Sequence, residues 1–567
     1  MKESIKVIHC SSDRCSNCPD GVESMCQRLC SMSKESEEPI ILAEADRGLL
    51  HLRFTGGHLR TEPPWYCEGW DSVYIGNNDE LFCELGNLID FYYVGPYLCF
   101  FMREYRNTHV KCVYRPIVRT SLEFSLLNRL TEEFKNSAGS LFGTRERLTE
   151  QQKRMMHEIS QYIQDHIPEI NENTRTRLSQ IVAHQTHILG PLIPILLDDL
   201  TEEVYLDGPD TAAYFDHQKY GRCATSITFC MDDVPRITTF IRAESNLHLD
   251  RSNPSLKMEL DLLSTILRLS VSVPPLSTNS LYLEIRRARR EPYSIQNLIE
   301  NHTITHEAAA ILLLAVACRL NITITGGPGT GKTTLLNALD MTTPQWWRKI
   351  YIEDAIESRP LSNHHQVRLQ VDSVDEQHKK LNKSEEIVKC LHRSPDYLIL
   401  GEIQTAEHSQ ALFQSIAAGL RSIQTCHSDS ASNLISRWIH GHGIDRSNLG
   451  MMDLVVTLER PKPGEALRRV KEIVEIRRGI QDGLVTYVGT NVLYDVTNPN
   501  TIHWAPDGAF QTLAKSLGIK DSQKSIIMLI DTVRNGGDKM DFGKLGEEMW
   551  SYGHPLRFAC CESSRLR

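Results

Sequence analysis

The sequence predicts an α/β fold from three observations. After Pro292 a helix, a strand, a glycine-rich loop and a second helix follow one another, apolar strands then alternate with helices, and upstream stretches mix short strands with helices. At 567 residues, with 41% hydrophobic and 24% charged residues, the chain has ordinary globular composition and exceeds a single core. Five segments are expected. Residues 1–38 form a Cys-rich arm and polar linker. Residues 39–189 form an α+β and helical domain, with strands at 91–94 and 97–102 and helical periodicity from 121 to 186. Residues 190–291 form a second α+β domain, with strands at 203–206, 212–215, 225–229 and 281–285 and a helix at 234–243. Residues 292–479 carry a parallel sheet covered by helices, and 480–567 a mixed, mainly helical extension with a strand at 485–488.

A net charge of −10 gives no general field that would draw the chain to nucleic acid or anionic lipid. No basic stripe interleaved with aromatics accompanies the α/β segment, so a nucleic-acid partner is not expected. The longest apolar run, 308–318, is 11 residues, short of the ~20 that span a bilayer. The start, Met1-Lys2-Glu3-Ser4, shows no apolar signal region, which makes the cytoplasm the expected compartment and thiols the expected state of the 16 cysteines.

The chemistry concentrates at Gly326-Gly327-Pro328-Gly329-Thr330-Gly331-Lys332-Thr333, which fits G-x-x-x-x-G-K-[ST] between a strand at 321–325 and a helix running on from Thr334. Glycines let backbone N–H groups turn inward around a triphosphate, and the helix N-terminus adds partial positive charge. The residues from Gly326 to Thr334 are therefore expected to bind ATP, with Lys332 on the β- and γ-phosphates and Thr333 on Mg2+. Hydrolysis also needs a carboxylate at the end of a neighbouring strand. Asp396-Tyr397-Leu398-Ile399-Leu400-Gly401-Glu402 is a short apolar strand of that form, and Glu402 is expected to polarise the attacking water.

Two further segments narrow the class. Ile350-Tyr351-Ile352-Glu353-Asp354-Ala355-Ile356-Glu357 resembles an acidic "Asp box", and Ile423-Gln424-Thr425-Cys426-His427-Ser428-Asp429-Ser430 resembles a "His box". In order and spacing with the two phosphate-site elements, they resemble the type II secretion, type IV pilus and archaellum ATPase family, its archaeal branch above all. Asp216-His217-Gln218-Lys219-Tyr220-Gly221, Asn253-Pro254-Ser255-Leu256 and Leu283-Glu284-Ile285-Arg286-Arg287 extend the resemblance upstream, so that it covers about 91–476.

The resemblance implies a RecA-like P-loop core preceded by a PAS-like α+β domain and a further N-terminal domain. It implies that Glu353 and Glu357 stand near magnesium and the attacking water, and that His427 senses the γ-phosphate. Arg286 and Arg287 would supply guanidinium charge to the transition state, with Arg368 a weaker counterpart; by themselves Arg286, Arg287, Arg289 and Arg290 read equally as a solvated charge run. It also implies a homo-hexamer with no span of its own, peripheral to the inner face of the cytoplasmic membrane, passing motion to a polytopic membrane platform protein. The chain departs from the family pattern at Gln404, Leu420, His392 and Ser394. A conjugation-type traffic ATPase and a nucleotide-binding regulator without turnover therefore stay open as alternatives. Cys15, Cys18, Cys26 and Cys30 form a C-x2-C-x7-C-x3-C array, read either as Zn2+ or iron–sulfur ligands or as free thiols on an arm.

Overall fold

The computed structural model describes residues 6–11, 40–46, 49–54, 71–75, 87–103, 110–118, 120–138, 148–262, 265–288, 292–372, 381–481, 483–519, 523–536 and 540–557. The chain divides into two compact units, Met1–Arg290 and Glu291–Arg567.

The first unit contains a four-stranded sheet of β1 (Lys6–Ser11), β2 (Ile40–Asp46), β3 (Leu49–Phe54) and β4 (Asp71–Ile75), in that order. Cys10 lies on β1, whereas Cys15, Cys18, Cys26 and Cys30 lie outside the described residues. A nine-stranded sheet follows, built from β5 (Leu88–Val94), β6 (Tyr97–Arg103), β7 (Val110–Pro116), β8 (Thr201–Leu206), β9 (Tyr214–His217), β10 (Gly221–Ala224), β11 (Ser255–Leu262), β12 (Thr265–Ser272) and β13 (Tyr282–Arg287). Its order is β11-β12-β13-β8-β9-β10-β7-β6-β5.

Strands from both sides of the expected boundary at 189/190 thus share one sheet, because β10 pairs parallel with β7, Cys223 opposite Val110. The strand expected at 225–229 is absent. β10 ends at Ala224, and the segment after it supplies single backbone bonds, Ala213 N–H to the Ile227 carbonyl at 2.7 Å and Asp210 N–H to that of Phe229 at 2.7 Å. The helices Ser121–Ala138, Leu148–His166 and Glu172–Thr186 pack through Leu127, Leu130, Ile159, Ile163, Leu178 and Ile181.

The second unit is an eight-stranded sheet of β14 (Ile322–Gly326), β15 (Arg348–Glu353), β16 (His365–Gln370), β17 (Tyr397–Glu402), β18 (Ser422–His427), β19 (Leu454–Glu459), β20 (Arg469–Gln481) and β21 (Leu484–Asp495). The order is β16-β15-β17-β18-β14-β19-β20-β21, with β14 to β19 parallel and β20 and β21 antiparallel. One face buries Ile324, Ile399, Ile423 and Val456 under the helix His306–Ala317, which is apolar all round and buried. The other face buries Ile350, Ile352, Leu398, Leu400 and Val455.

The segment expected as a separate extension, 480–567, shares this core: β21 continues the sheet, and Phe510, Ile526 and Leu529 join the cluster of Ile322 and Ile324. No helix among the described residues is long and apolar enough to cross a membrane.

In the first unit, burial pushes the His184 imidazole down to about 3, and its Nδ1 lies 3.1 Å from the Tyr97 hydroxyl. A group depressed on folding stabilises above its unfolded value near 6.5 and loses that contribution as pH falls toward the folded one. Between pH 7.5 and 5.5, His184 should therefore cost about 1.4 kcal/mol of stability. Urea unfolding followed by circular dichroism at the two pH values should show this loss, and His184→Gln should remove about that share of it.

Candidate nucleotide-binding and catalytic site

Parallel pairing brings three strand ends to one edge. Gly326, the last residue of β14, lies beside His427, the last of β18, while β18 also pairs with β17. The carboxyl edge of such a sheet is where the following loops can surround a ligand.

The phosphate loop leaves β14 in a conformation that only glycine tolerates. Gly326 has φ +156°, and a Cβ there would lie 2.6 Å from both the Leu458 carbonyl oxygen and the Thr330 hydroxyl. Gly331 caps the helix Lys332–Asp340 with φ +91°, a left-handed turn that starts the helix without a side chain over its N–H groups. Thr330 Oγ1 donates to the Gly327 carbonyl at 2.9 Å and closes the loop.

The helix is tied down at its far end as well. The buried Lys349 Nζ lies 2.6 Å from Asp340 Oδ1, and the Tyr351 hydroxyl donates to Asp340 Oδ2 at 2.7 Å. Because both ends are held, the loop is preorganised. An open cradle of glycines at a helix N-terminus, with a lysine and a threonine in the first turn, fits a magnesium-bound triphosphate.

Lys332 Nζ donates to the carbonyls of Gly326 at 3.1 Å and Gly327 at 2.9 Å and lies 3.1 Å from His427 Nδ1. The opposite ring nitrogen, His427 Nε2, lies 2.5 Å from Glu402 Oε1. One imidazole therefore joins the phosphate-loop lysine to the strand-end carboxylate.

Glu402 reaches this position through a bulge. Leu400 pairs with Gln424 and Glu402 with Thr425, so Gly401 is an extra residue in β17. Regular alternation would place Glu402 on the face of Leu400; the extra residue turns it to the opposite face, where the phosphate-loop helix packs. Burial alone would raise the Glu402 carboxyl, but the bonds from His427 and from Gln404 Nε2, at 3.1 Å, outweigh it and hold the group below its ordinary value. Gln404, a departure from the family pattern, is thus an orienting contact for Glu402.

The other expected residues fall into two groups. Glu353 is buried at the end of β15 and accepts from Glu357 N–H at 3.0 Å, Ser358 N–H at 2.9 Å and the Ser358 hydroxyl at 2.5 Å. Burial raises its carboxyl above the ordinary range despite these bonds. Glu353 thereby shapes the turn carrying Glu357, whose carbonyl takes a 3.1 Å bond from Asn337 on the phosphate-loop helix. Arg368 holds the same turn, donating to the Ser358 carbonyl at 2.8 Å.

Arg286 and Arg287 lie on β13 in the first unit. Arg287 is buried and donates to the Leu196 carbonyl at 2.9 Å and to Asp199; Arg286 is half exposed, 3.7 Å from Glu203. Arg289 and Arg290 lie outside the described residues. Among the described residues no group of three or more His, Cys, Asp or Glu side chains is arranged to hold a metal ion.

Lys383 was hidden in the sequence. Buried on the connection into β17, it donates to Asp354 Oδ1 at 3.1 Å and to the Glu402 carbonyl at 2.8 Å, joining the acidic turn to the end of β17. Its setting, Lys379-Lys380-Leu381-Asn382-Lys383-Ser384-Glu385-Glu386, reads as a solvated charge run and carries no motif.

A phosphate loop on a parallel sheet, facing a strand-end glutamate across a histidine, defines a P-loop ATPase domain. Residues 231–458 match the family described as Type II/IV secretion system protein. An uncharacterised protein of Methanocaldococcus jannaschii is 30% identical over 226 residues, 39% of this chain and 31% of that one. A second from the same organism is 27% identical over 66% of this chain and 69% of its own. The chain thus spans about a third of the first relative's length. Among solved structures, the VirB11 ATPase of the Brucella suis type IV secretion system, in complex with sulphate, is 20% identical, with 52% of this chain and 95% of that chain covered and a TM-score of 0.26.

The closed geometry at Gly326 gives a direct check. Gly326→Ala should cost about 2 kcal/mol or more and displace the phosphate loop. Thermal unfolding and nucleotide titration of the variant should both show the defect.

Proposed function

We propose that the chain is an ATP-hydrolysing motor of a secretion system, and that the system is of the type IV pilus-like, archaellum-like or type II secretion kind. The observation that carries the reading is the contact chain Lys332 to His427 to Glu402, at 3.1 and 2.5 Å, across the carboxyl ends of β14, β18 and β17.

Lys332 leaves its carbonyl contacts to neutralise the β- and γ-phosphates, and Thr333, in the first helical turn, holds magnesium. Magnesium, when bound, offsets charge on the phosphates. Glu402, kept ionised, orients the attacking water, and Glu353 and Glu357 shape the wall behind it. His427 touches both the lysine and the carboxylate, so that loss of the γ-phosphate changes its contacts and alters the hold on Glu402.

Work on a filament or a secreted substrate requires a ring, a homo-hexamer in this reading, seated at the inner face of the cytoplasmic membrane on a polytopic platform protein. The family match over residues 231–458 supports this assignment.

Lys332→Ala and Glu402→Gln should each lower ATP turnover of the purified chain by about 100-fold or more. Lys332→Ala should also weaken nucleotide binding, whereas Glu402→Gln should retain it. Near-normal turnover in either variant removes the mechanism.

A further inference from the structure

The connection between β19 and β20 lies at the same sheet edge as the phosphate loop, because β19 runs parallel to β14 with Leu458 beside Gly326. β20 returns antiparallel, pairing Leu458 with Val470 and Glu459 with Arg469. The next residues in register are Arg460 and Arg468, which flank the loop 461–467.

Directly opposed residues of an antiparallel pair share a face, and faces alternate along a strand. Leu458 and Val470 point into the core under the phosphate-loop helix, and Arg469 is turned to Glu459 at 2.8 Å, so Arg460 and Arg468 fall on the phosphate-loop side. Spacing agrees: a Cβ on Gly329 would lie 3.9 Å from Arg460 Nη1, and one on Gly331 would lie 3.7 Å from Arg468 Cδ. Arg460 Nε is anchored at 2.5 Å on the Glu465 carbonyl, which holds the guanidinium in place.

A guanidinium is suited to phosphate oxygens because it offers paired donors in one plane.

We propose that Arg460, with Arg468 beside it, contacts the phosphates of the bound nucleotide and is a specificity-determining residue of this chain for polyphosphorylated ligands. The proposal deepens the reading above and rests on ATP binding at the phosphate loop. It adds a cation from the end of the same sheet to the one supplied by Lys332.

The test is equilibrium titration of the full chain with ATP and magnesium, comparing wild type with Arg460→Gln, which keeps most of the side-chain stem, and Lys462→Ala. Lys462 lies on the same loop, is well exposed and pairs with Glu465 at 3.0 Å, so its removal changes the charge equally away from the glycines. The expected result is a Kd raised about tenfold in Arg460→Gln and within twofold of wild type in Lys462→Ala. A Kd within twofold in Arg460→Gln overturns the proposal, and so does an equal loss in both variants, which would reflect the charge of the loop alone. Arg460→Lys guards against a folding defect: with a wild-type melting temperature, it should bind more tightly than Arg460→Gln, and equal weakness overturns the contact. Failure of the wild-type chain to bind ATP would instead overturn the function proposed above.

Discussion

The site depends on the parallel alignment of β17, β18 and β14, which brings three strand ends to one edge and sets Glu402, His427 and Lys332 in line. Glu402 lies 25 positions from His427 and 70 from Lys332 along the chain, so only the sheet can hold them within hydrogen-bond reach. The helix Lys332–Asp340 must also stay fixed on the sheet, and the buried Asp340, Lys349 and Tyr351 contacts fix it. Removing one partner of such a pair leaves a buried charge uncompensated, at a cost of about 3–5 kcal/mol.

The strand-end carboxylate of Glu402 owes its direction to one extra residue. Gly401 interrupts the alternation of β17, so that the side chain after it faces the phosphate loop while Leu398 and Leu400 remain in the opposite core. Around it, Gln404 and His427 hold the carboxylate and Lys383 holds its backbone carbonyl. A glutamate held on three sides loses little freedom when substrate arrives, which is the condition for orienting a water rather than merely lying near one.

What could be read from the sequence was what is local. Eight contiguous residues determine the phosphate loop, and their glycines, lysine and threonine announce the chemistry without tertiary information. The strand ending at Glu402 was legible as a short apolar run, but its bulge was not, since a bulge exists only relative to a partner strand. The nine-stranded sheet was illegible for the same reason: β7 and β10 meet through residues more than a hundred positions apart, Val110 and Cys223. The β11–β12 hairpin alternates faithfully, yet its many charged residues mask a half-buried face. Residues beyond 480 read as a mixed, mainly helical extension because β21 carries Thr, Asn and Gly beside its apolar positions, whereas β21 continues the sheet and the helices after it fill the main core. Lys383 opens a short helix in a charge-rich stretch and Arg460 and Arg468 flank a proline-containing loop, and only the fold reveals what lies beside them.

The most direct measurement is an experimental structure of the chain with a non-hydrolysable ATP analogue and magnesium. The β- and γ-phosphates are expected within the loop 326–333, with Lys332 Nζ moved from the Gly326 and Gly327 carbonyls to phosphate oxygens and Thr333 on the metal. A nucleotide seated elsewhere, or a Lys332 still bound to those carbonyls with the analogue present, would contradict this placement.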